Sequence, residues 1–142
     1  DGGGYVHVKA NRHIALAGRV SADALHGTID RGVAGSGGGI LLEGRTFAAT
    51  DTASLTAVGG NHDANSGPAG GGGRIAVWVG RPWHEGVKTH HVVSLAPTEC
   101  FADADVVSVV GGVAGTDDTT QAGDGTFGCY RYRIPGLTLM LR

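Results

Sequence analysis

The chain has 142 residues and a net charge of −2; 41% of its residues are hydrophobic and 17% are charged. This length suits one domain with an apolar core. The near-neutral charge gives no basic surface for nucleic acid, and no apolar run is long enough for membrane insertion. Glycine supplies 27 of the 142 residues, which is close to three times the usual share of about 7%. Tight turns and close backbone contacts are therefore expected.

Three glycine clusters divide the chain at nearly equal intervals. They begin at Gly2, Gly37 and Gly71, which are 35 and 34 residues apart. The segments after them, "YVHVKA", "ILLEGR" and "RIAVWV", alternate apolar with other residues. Alternation with a period of two predicts a β-strand after each cluster.

A second predicted strand recurs inside the repeat. Val20 and Ala22 align with Leu55 and Ala57, again 35 residues later. One glycine-rich all-β domain over 1–142 is expected, with repeats at about 2–36, 37–70 and 71–124, an insertion at 81–104 and closing strands at 125–142. Strands that recur once per repeat can stack on one another. The sequence therefore predicts a parallel β-helix, or β-solenoid, of three to four glycine-led repeats; a β-sandwich of hairpins is the alternative.

The longest glycine run, Gly70–Gly73, has three possible roles: a phosphate-binding loop, a flexible linker or a structural corner. A phosphate-binding loop would be followed by a helix and a Gly-Lys-Ser/Thr motif, and here a strand follows instead. Because the run recurs in register with strands, we predict a corner where stacked backbones leave no space for a Cβ atom.

The only two cysteines, Cys100 and Cys129, match no zinc or redox motif. We predict that they form a disulfide, which indicates an oxidising compartment; two buried free thiols are the alternative.

Three segments resemble the glycine-rich repeats of large secreted bacterial surface proteins of the planctomycete and verrucomicrobial type. They are "GSGGGILL", "ASLTAVGGNHDANSGPAGGGGRIAVWV" and "VVSVVGGVAGTDDTTQAGDGTF". The resemblance implies a parallel β-helix of passenger or adhesin type with an extracellular, structural or adhesive role. It brings no catalytic residues, and it does not account for the insertion or the cysteine pair.

Two sets of residues are candidates for metal binding. His84, His90 and His91, with Glu85 beside them, lie in the insertion, and imidazole is a ligand for zinc, copper or nickel. Asp117, Asp118 and Asp124 offer the oxygen ligands that Ca²⁺ prefers. The alternative for both sets is surface histidines and solvated turn carboxylates, and no cofactor other than Ca²⁺ is indicated.

Four aromatic residues are candidates for ligand binding: Trp78, Trp83, Tyr130 and Tyr132. Trp78 alternates with Val77 and Val79, which predicts that it lies on the outer face of its strand. Tyr130 and Tyr132 share one face of the last strand. Such a patch could stack on sugar rings, while core or subunit packing is the alternative.

The chain begins inside a repeat and ends in the apolar segment 137–142, "LTLMLR". Uncovered terminal strands of a repeat protein pair with another chain or with flanking parts of a larger protein. The first expectation is therefore a non-enzymatic structural module of a cell-surface, filament or adhesive assembly. The second is a carbohydrate-binding module, and the third a polysaccharide-processing enzyme.

Overall fold

The computed structural model describes residues 1–27, 32–62, 67–80, 91–101, 106–115 and 120–133. Within these ranges the chain forms twelve β-strands and one 3₁₀-helix and contains no α-helix, so the all-β prediction is confirmed. The strands are β1 (Tyr5–Lys9), β2 (His13–Leu16), β3 (Arg19–Ser21), β4 (Gly39–Glu43), β5 (Thr46–Ala49), β6 (Ser54–Thr56), β7 (Arg74–Val79), β8 (His91–Leu95), β9 (Val107–Ser108), β10 (Val113–Ala114), β11 (Thr120–Gln121) and β12 (Thr126–Arg133); the 3₁₀-helix is Pro97–Glu99.

The largest sheet contains the strands that follow the glycine clusters. Its order is β1-β4-β7-β12-β8, and the first four strands are parallel. Tyr5 pairs with Gly39, Gly39 with Arg74, and Arg74 with Thr126. Each repeat therefore contributes one strand to this sheet, and the closing strand β12 adds a fourth.

Two smaller parallel sheets follow the same repeat. β2 pairs with β5, and β3, β6 and β9 form the other sheet. Val20 pairs with Leu55, which confirms the alignment predicted from the sequence. We call one level of these ladders a rung: rung 1 is β1, β2 and β3; rung 2 is β4, β5 and β6; rung 3 is β7 and β9; and rung 4 is β12.

Two pairings are antiparallel and do not follow the repeat. β8 comes from the predicted insertion and pairs with β12, so that it forms one edge of the large sheet. β10 pairs with β11 in a separate sheet of two strands. The described strands thus form four separate sheets of mixed type, and the described residues do not show a closed solenoid.

Aliphatic side chains of the inner strand faces form one core. Alternation along β4 and β7 buries Ile40, Leu42, Ile75 and Val77, each at most 2% exposed, and β6 adds Leu55 at 0%. We call this cluster the aliphatic core. It also contains Ala22, Ala57, Val79, Leu95, Phe101 and Cys129.

A second packed region has almost no side chains. At its glycines a Cβ atom would lie closer than 3.0 Å to backbone atoms of a neighbouring segment, a distance that real Cβ atoms essentially never show. Backbone hydrogen bonds also cross the region, as from Gly73 N to Ala57 O and from Gly112 N to Gly70 O. The prediction of crowded structural corners is therefore confirmed. This glycine region consists of Gly3, Gly35, Gly37, Gly38, Gly59, Gly60, Gly70, Gly72, Gly73, Gly111, Gly112 and Gly125.

Candidate functional site

One end of the parallel ladders is open in the described part of the chain. β1, β2 and β3 are each the first strand of their sheet and pair on one side only. Their inward-facing side chains are also incompletely covered: Val8 is 40% exposed, whereas its rung 2 partner Leu42 is 2% exposed. Rung 1 therefore presents unpaired backbone groups together with partly exposed apolar side chains. We call the outer side of β1, β2 and β3 the open end.

The opposite edge of the large sheet is covered. The antiparallel strand β8 pairs with β12 from Cys129 to Arg133, so the parallel stacking does not continue past rung 4 at this position. The sequence predicted that segment 137–142 would be the second uncovered strand, and that segment lies outside the described residues. Among the described strands, one edge of the large sheet is therefore β1, a parallel strand of the first repeat, and the other is β8, an antiparallel strand of the insertion.

The structure brings together three of the four predicted ligand-binding aromatic residues. Tyr130 pairs with Trp78 across β12 and β7, and their ring centroids are 4.6 Å apart at an interplanar angle of 28°. Tyr132 lies 5.0 Å from Trp78, centroid to centroid. We call these three residues the aromatic cluster. Trp83, the fourth candidate, lies outside the described residues.

The aromatic cluster lies on the outer face of the large sheet. Val77 and Val79 are buried and Trp78 between them is half-buried, as the alternation predicted. Tyr130 extends along its own strand, because its hydroxyl oxygen occupies the place where Gly128 would carry a Cβ atom. The cluster thus covers the pairing of β7 with β12, and Trp78 contacts both tyrosine rings.

The predicted metal ligands are only partly described. His84, His90, Asp117 and Asp118 lie outside the described residues, as does the side chain of His91 in β8. The Asp124 carboxylate is described, and its Oδ1 accepts hydrogen bonds from the Gly111 N–H at 2.9 Å and from Gln121 Nε2 at 3.1 Å. Among the described residues, no group of three or more His, Cys, Asp or Glu side chains is placed to hold a metal ion.

The predicted disulfide is present. Cys100 and Cys129 are bonded, with their Cα atoms 6.3 Å apart, and neither cysteine is free. The bond joins the insertion to β12 beside Phe101, which is 2% exposed and makes edge-to-face contacts with Phe47 and Phe127. The insertion therefore supplies part of the core. The repeat pattern gave no sign of this, because Phe101 has no counterpart in the other copies.

A hydrogen-bond network around Asp23 joins rung 1 to rung 2. Asp23 Oδ2 accepts from Arg19 Nη2 at 2.6 Å, Ser21 Oγ at 2.7 Å and Thr56 Oγ1 at 2.8 Å, and Oδ1 accepts from the Val58 N–H at 2.8 Å. Partial burial raises the pKa of Asp23, but these hydrogen bonds outweigh it and hold the pKa below its ordinary value.

His62 is a buried polar residue, with 1% of its surface exposed. It lies between Gly27 and Gly67, where an added Cβ atom would approach the imidazole to less than 3.0 Å. Its backbone forms parallel bridges to Gly27 and Ala114. The side chain thus occupies a slot formed by Gly67, five residues later in the chain, and by Gly27, which lies one repeat earlier.

Comparison with known proteins leaves the family unassigned: no family model, no curated protein and no solved structure matches the chain. In the described ranges, no helix has the length and apolar character required to traverse a lipid bilayer.

Proposed function

We propose that this protein is an extracellular structural module of a cell-surface, filament or adhesive assembly, and that it associates through its open end. The observation that carries the proposal is the contrast between rung 1 and rung 2. Leu42 and Leu55 are almost fully buried, whereas their rung 1 partners Val8 and Val20 are incompletely covered. Covering them would bury apolar area and pair the free edges of three strands.

The proposal includes a β-solenoid arrangement of the parallel rungs. The support is the spacing of the pairs, which is 34 residues from Tyr5 to Gly39 and 35 from Gly39 to Arg74. Parallel strands that recur once per repeat are characteristic of stacked-repeat architectures, whereas a sandwich of hairpins has antiparallel neighbours. The resemblance to secreted bacterial surface repeats agrees with this arrangement.

The extracellular part of the proposal is supported by the disulfide between Cys100 and Cys129, because such bonds persist mainly in oxidising compartments. Partners of the open end are a second copy of the chain or flanking parts of a larger protein. Both would satisfy the same unpaired backbone groups.

Sedimentation velocity of the purified chain over a wide range of concentration tests the proposal, with negative-stain microscopy of the same samples. We expect concentration-dependent association. A charge at the open end opposes strand addition, so Val8→Lys should weaken association about tenfold.

The matched control is Val33→Lys, since Val33 is 69% exposed and lies outside the strands of the open end. This variant should associate like the wild type. A wild-type chain that stays monomeric throughout would rule out self-association through the open end, and an equal loss of association in both variants would show that the open end does not mediate assembly.

The aromatic cluster supports a second candidate function, a carbohydrate-binding module. Three rings meet on an outer sheet face, and aromatic side chains are enriched at binding surfaces. The structural role ranks first because both tyrosine rings already pack against Trp78, which reduces the ring area open to a sugar.

A glycan array distinguishes the second candidate from the first. Binding through the cluster would be lost in Trp78→Ala and retained in Tyr5→Ala, where Tyr5 is an exposed aromatic residue of β1 outside the cluster. If no glycan is retained, or if Tyr5→Ala loses binding equally, the carbohydrate-binding role is rejected.

A further inference from the structure

The residue directly before the large-sheet strand is glycine in all four rungs, but the structure excludes a side chain there in only three of them. The strand register aligns Gly4, Gly38, Gly73 and Gly125, and equivalent hydrogen bonds run from Gly39 N to Gly4 O and from Arg74 N to Gly38 O. In rungs 2, 3 and 4, a Cβ atom at this position would collide with the backbone of the rung before it. At Gly4 no atom lies within 4 Å of the same Cβ position.

The contacts of Gly38 show what imposes glycine at this position. Its Cβ atom would meet the Gly4 carbonyl oxygen and, at 2.6 Å, the carbonyl carbon of Gly3. A side chain is thus excluded by the preceding rung. Gly4 has no preceding rung within the described chain, and its φ is not in the left-handed region that favours glycine. Nothing in the described structure requires glycine there.

The neighbouring position shows the opposite behaviour at the other end of the ladder. It is occupied by Gly3, Gly37, Gly72 and Asp124. In the first three a Cβ atom would lie nearest to a carbonyl oxygen of the same rung (Ala22, Ala57 or Val109) and next nearest to the backbone nitrogen of the following rung. Asp124 is in rung 4, beyond which the described strands add no parallel rung, and there a side chain is present. The following rung is thus one of two backbone neighbours that exclude a side chain at this position, and a side chain is present in rung 4, where the described strands add no following parallel rung.

We infer that the open end receives a parallel, glycine-led rung of the same type as rungs 1 to 4, with a backbone carbonyl of that rung placed against Gly4. The inference rests on the proposed function and specifies its partner. In a head-to-tail stack of two copies that keeps their inner sheet faces on the same side, the edge strand β8 would run antiparallel to β1, because it is antiparallel to β12. The partner is therefore a rung that continues the repeat in register, and not the β8 edge of another copy.

An extended chain tests the inference directly. Residues 1–34 are duplicated ahead of Asp1, which sets the added rung at the 34-residue spacing of Tyr5 and Gly39. Gly4→Ala is then made, at the original Gly4, in the 142-residue chain and in the extended chain, and thermal unfolding is measured for each. We expect no loss in the 142-residue chain and a fall in Tm of several degrees in the extended chain.

Two matched variants complete the design. Gly38→Ala should lower the Tm in both chains, because its preceding rung is present in each. Gly18→Ala should lower it in neither, since no atom lies within 4 Å of its Cβ position. Amide hydrogen exchange should show new protection of β1 in the extended chain.

The inference is overturned if Gly4→Ala has the same effect in both chains, or if β1 gains no protection from the added rung. Such a result would leave the proposed function intact, provided that Val8→Lys still weakens association. Conversely, a monomeric 142-residue chain whose extended form behaves as expected would reject self-association and keep the parallel rung as the partner.

Discussion

The aliphatic core and the glycine region maintain the same strand register by different physical means. In the aliphatic core, Ile40 and Ile75 stack through their side chains, and the stabilisation comes from burial of apolar area. In the glycine region, Gly38 and Gly73 stack through their backbones, and hydrogen bonds between rungs satisfy the peptide groups.

The stability of the two regions responds oppositely to a change in side-chain size. The aliphatic core is weakened when carbon atoms are removed, because a cavity remains. The glycine region is weakened when a carbon atom is added, because backbone on both sides has no space to retreat. Four sets of substitutions distinguish the two regions, beginning with the change that should destabilise the protein most.

Leu55→Ala should have the largest effect, a loss of about 3 to 5 kcal/mol in the free energy of unfolding, because Leu55 is 0% exposed. Urea denaturation measures it. Val33→Ala, at an exposed position, is the control and should change stability by less than about 0.5 kcal/mol. A loss below about 1 kcal/mol for Leu55→Ala would mean that side-chain packing does not stabilise the aliphatic core.

Replacing both Cys100 and Cys129 by Ala should cost about 3 kcal/mol, since the disulfide closes a loop with a sequence separation of 29. The bond lies beside the aliphatic core. Amide exchange should therefore quicken more in β12 and the insertion than in Gly59 and Gly60. Equal acceleration in both places would mean that the two regions unfold as one unit.

Gly73→Ala should cost about 2 to 3 kcal/mol, which is unusual for the addition of one methyl group. Its Cβ atom would meet the Gly38 carbonyl and, at 2.9 Å, the Cβ atom of Ala57. Gly18→Ala is the matched control and should be neutral or stabilise the protein by up to about 1 kcal/mol. The contrast between the regions fails if Gly73→Ala is as stable as Gly18→Ala.

Asp23→Asn should cost about 1 kcal/mol at neutral pH, since it weakens the charge-assisted hydrogen bonds between rungs 1 and 2. The pKa of Asp23 is lowered in the folded protein, so the stabilisation is present above the ordinary aspartate pKa of about 3.9 and is lost as the pH falls through the folded value. Urea denaturation of wild type and variant at several pH values should show their difference shrinking below about pH 4. A difference that is constant with pH would assign the effect to shape alone, and the exposed Asp51→Asn serves as control.

Much of the architecture was predictable because it repeats. The spacing of the glycine clusters predicted the strands after them, and the alignment of Val20 with Leu55 gave the register of a smaller sheet. What the repeat does not contain was missed. Phe101 is buried through contacts with Phe47 and Phe127, which lie in different rungs.

Only some features of the candidate site could be predicted from the sequence. Alternation along β7 indicated the outward position of Trp78, but the meeting of its ring with Tyr130 depends on a pairing across 52 residues. The antiparallel direction of β8 could not be predicted either, because strand direction is decided by what the insertion packs against. The repeats predicted that the first strands would lack a partner on one side. The antiparallel strand β8 at the opposite edge of the large sheet was seen only in the structure.

The glycine region has a consequence for how such a sequence can diverge. A core position filled by isoleucine has near-equivalents in valine and leucine, so the strands can change residue by residue through viable intermediates. A glycine whose Cβ position is already filled by backbone has no such neighbour among the other amino acids. Distant versions of this molecule should therefore share the spacing of their glycines long after the strands between them have lost all resemblance.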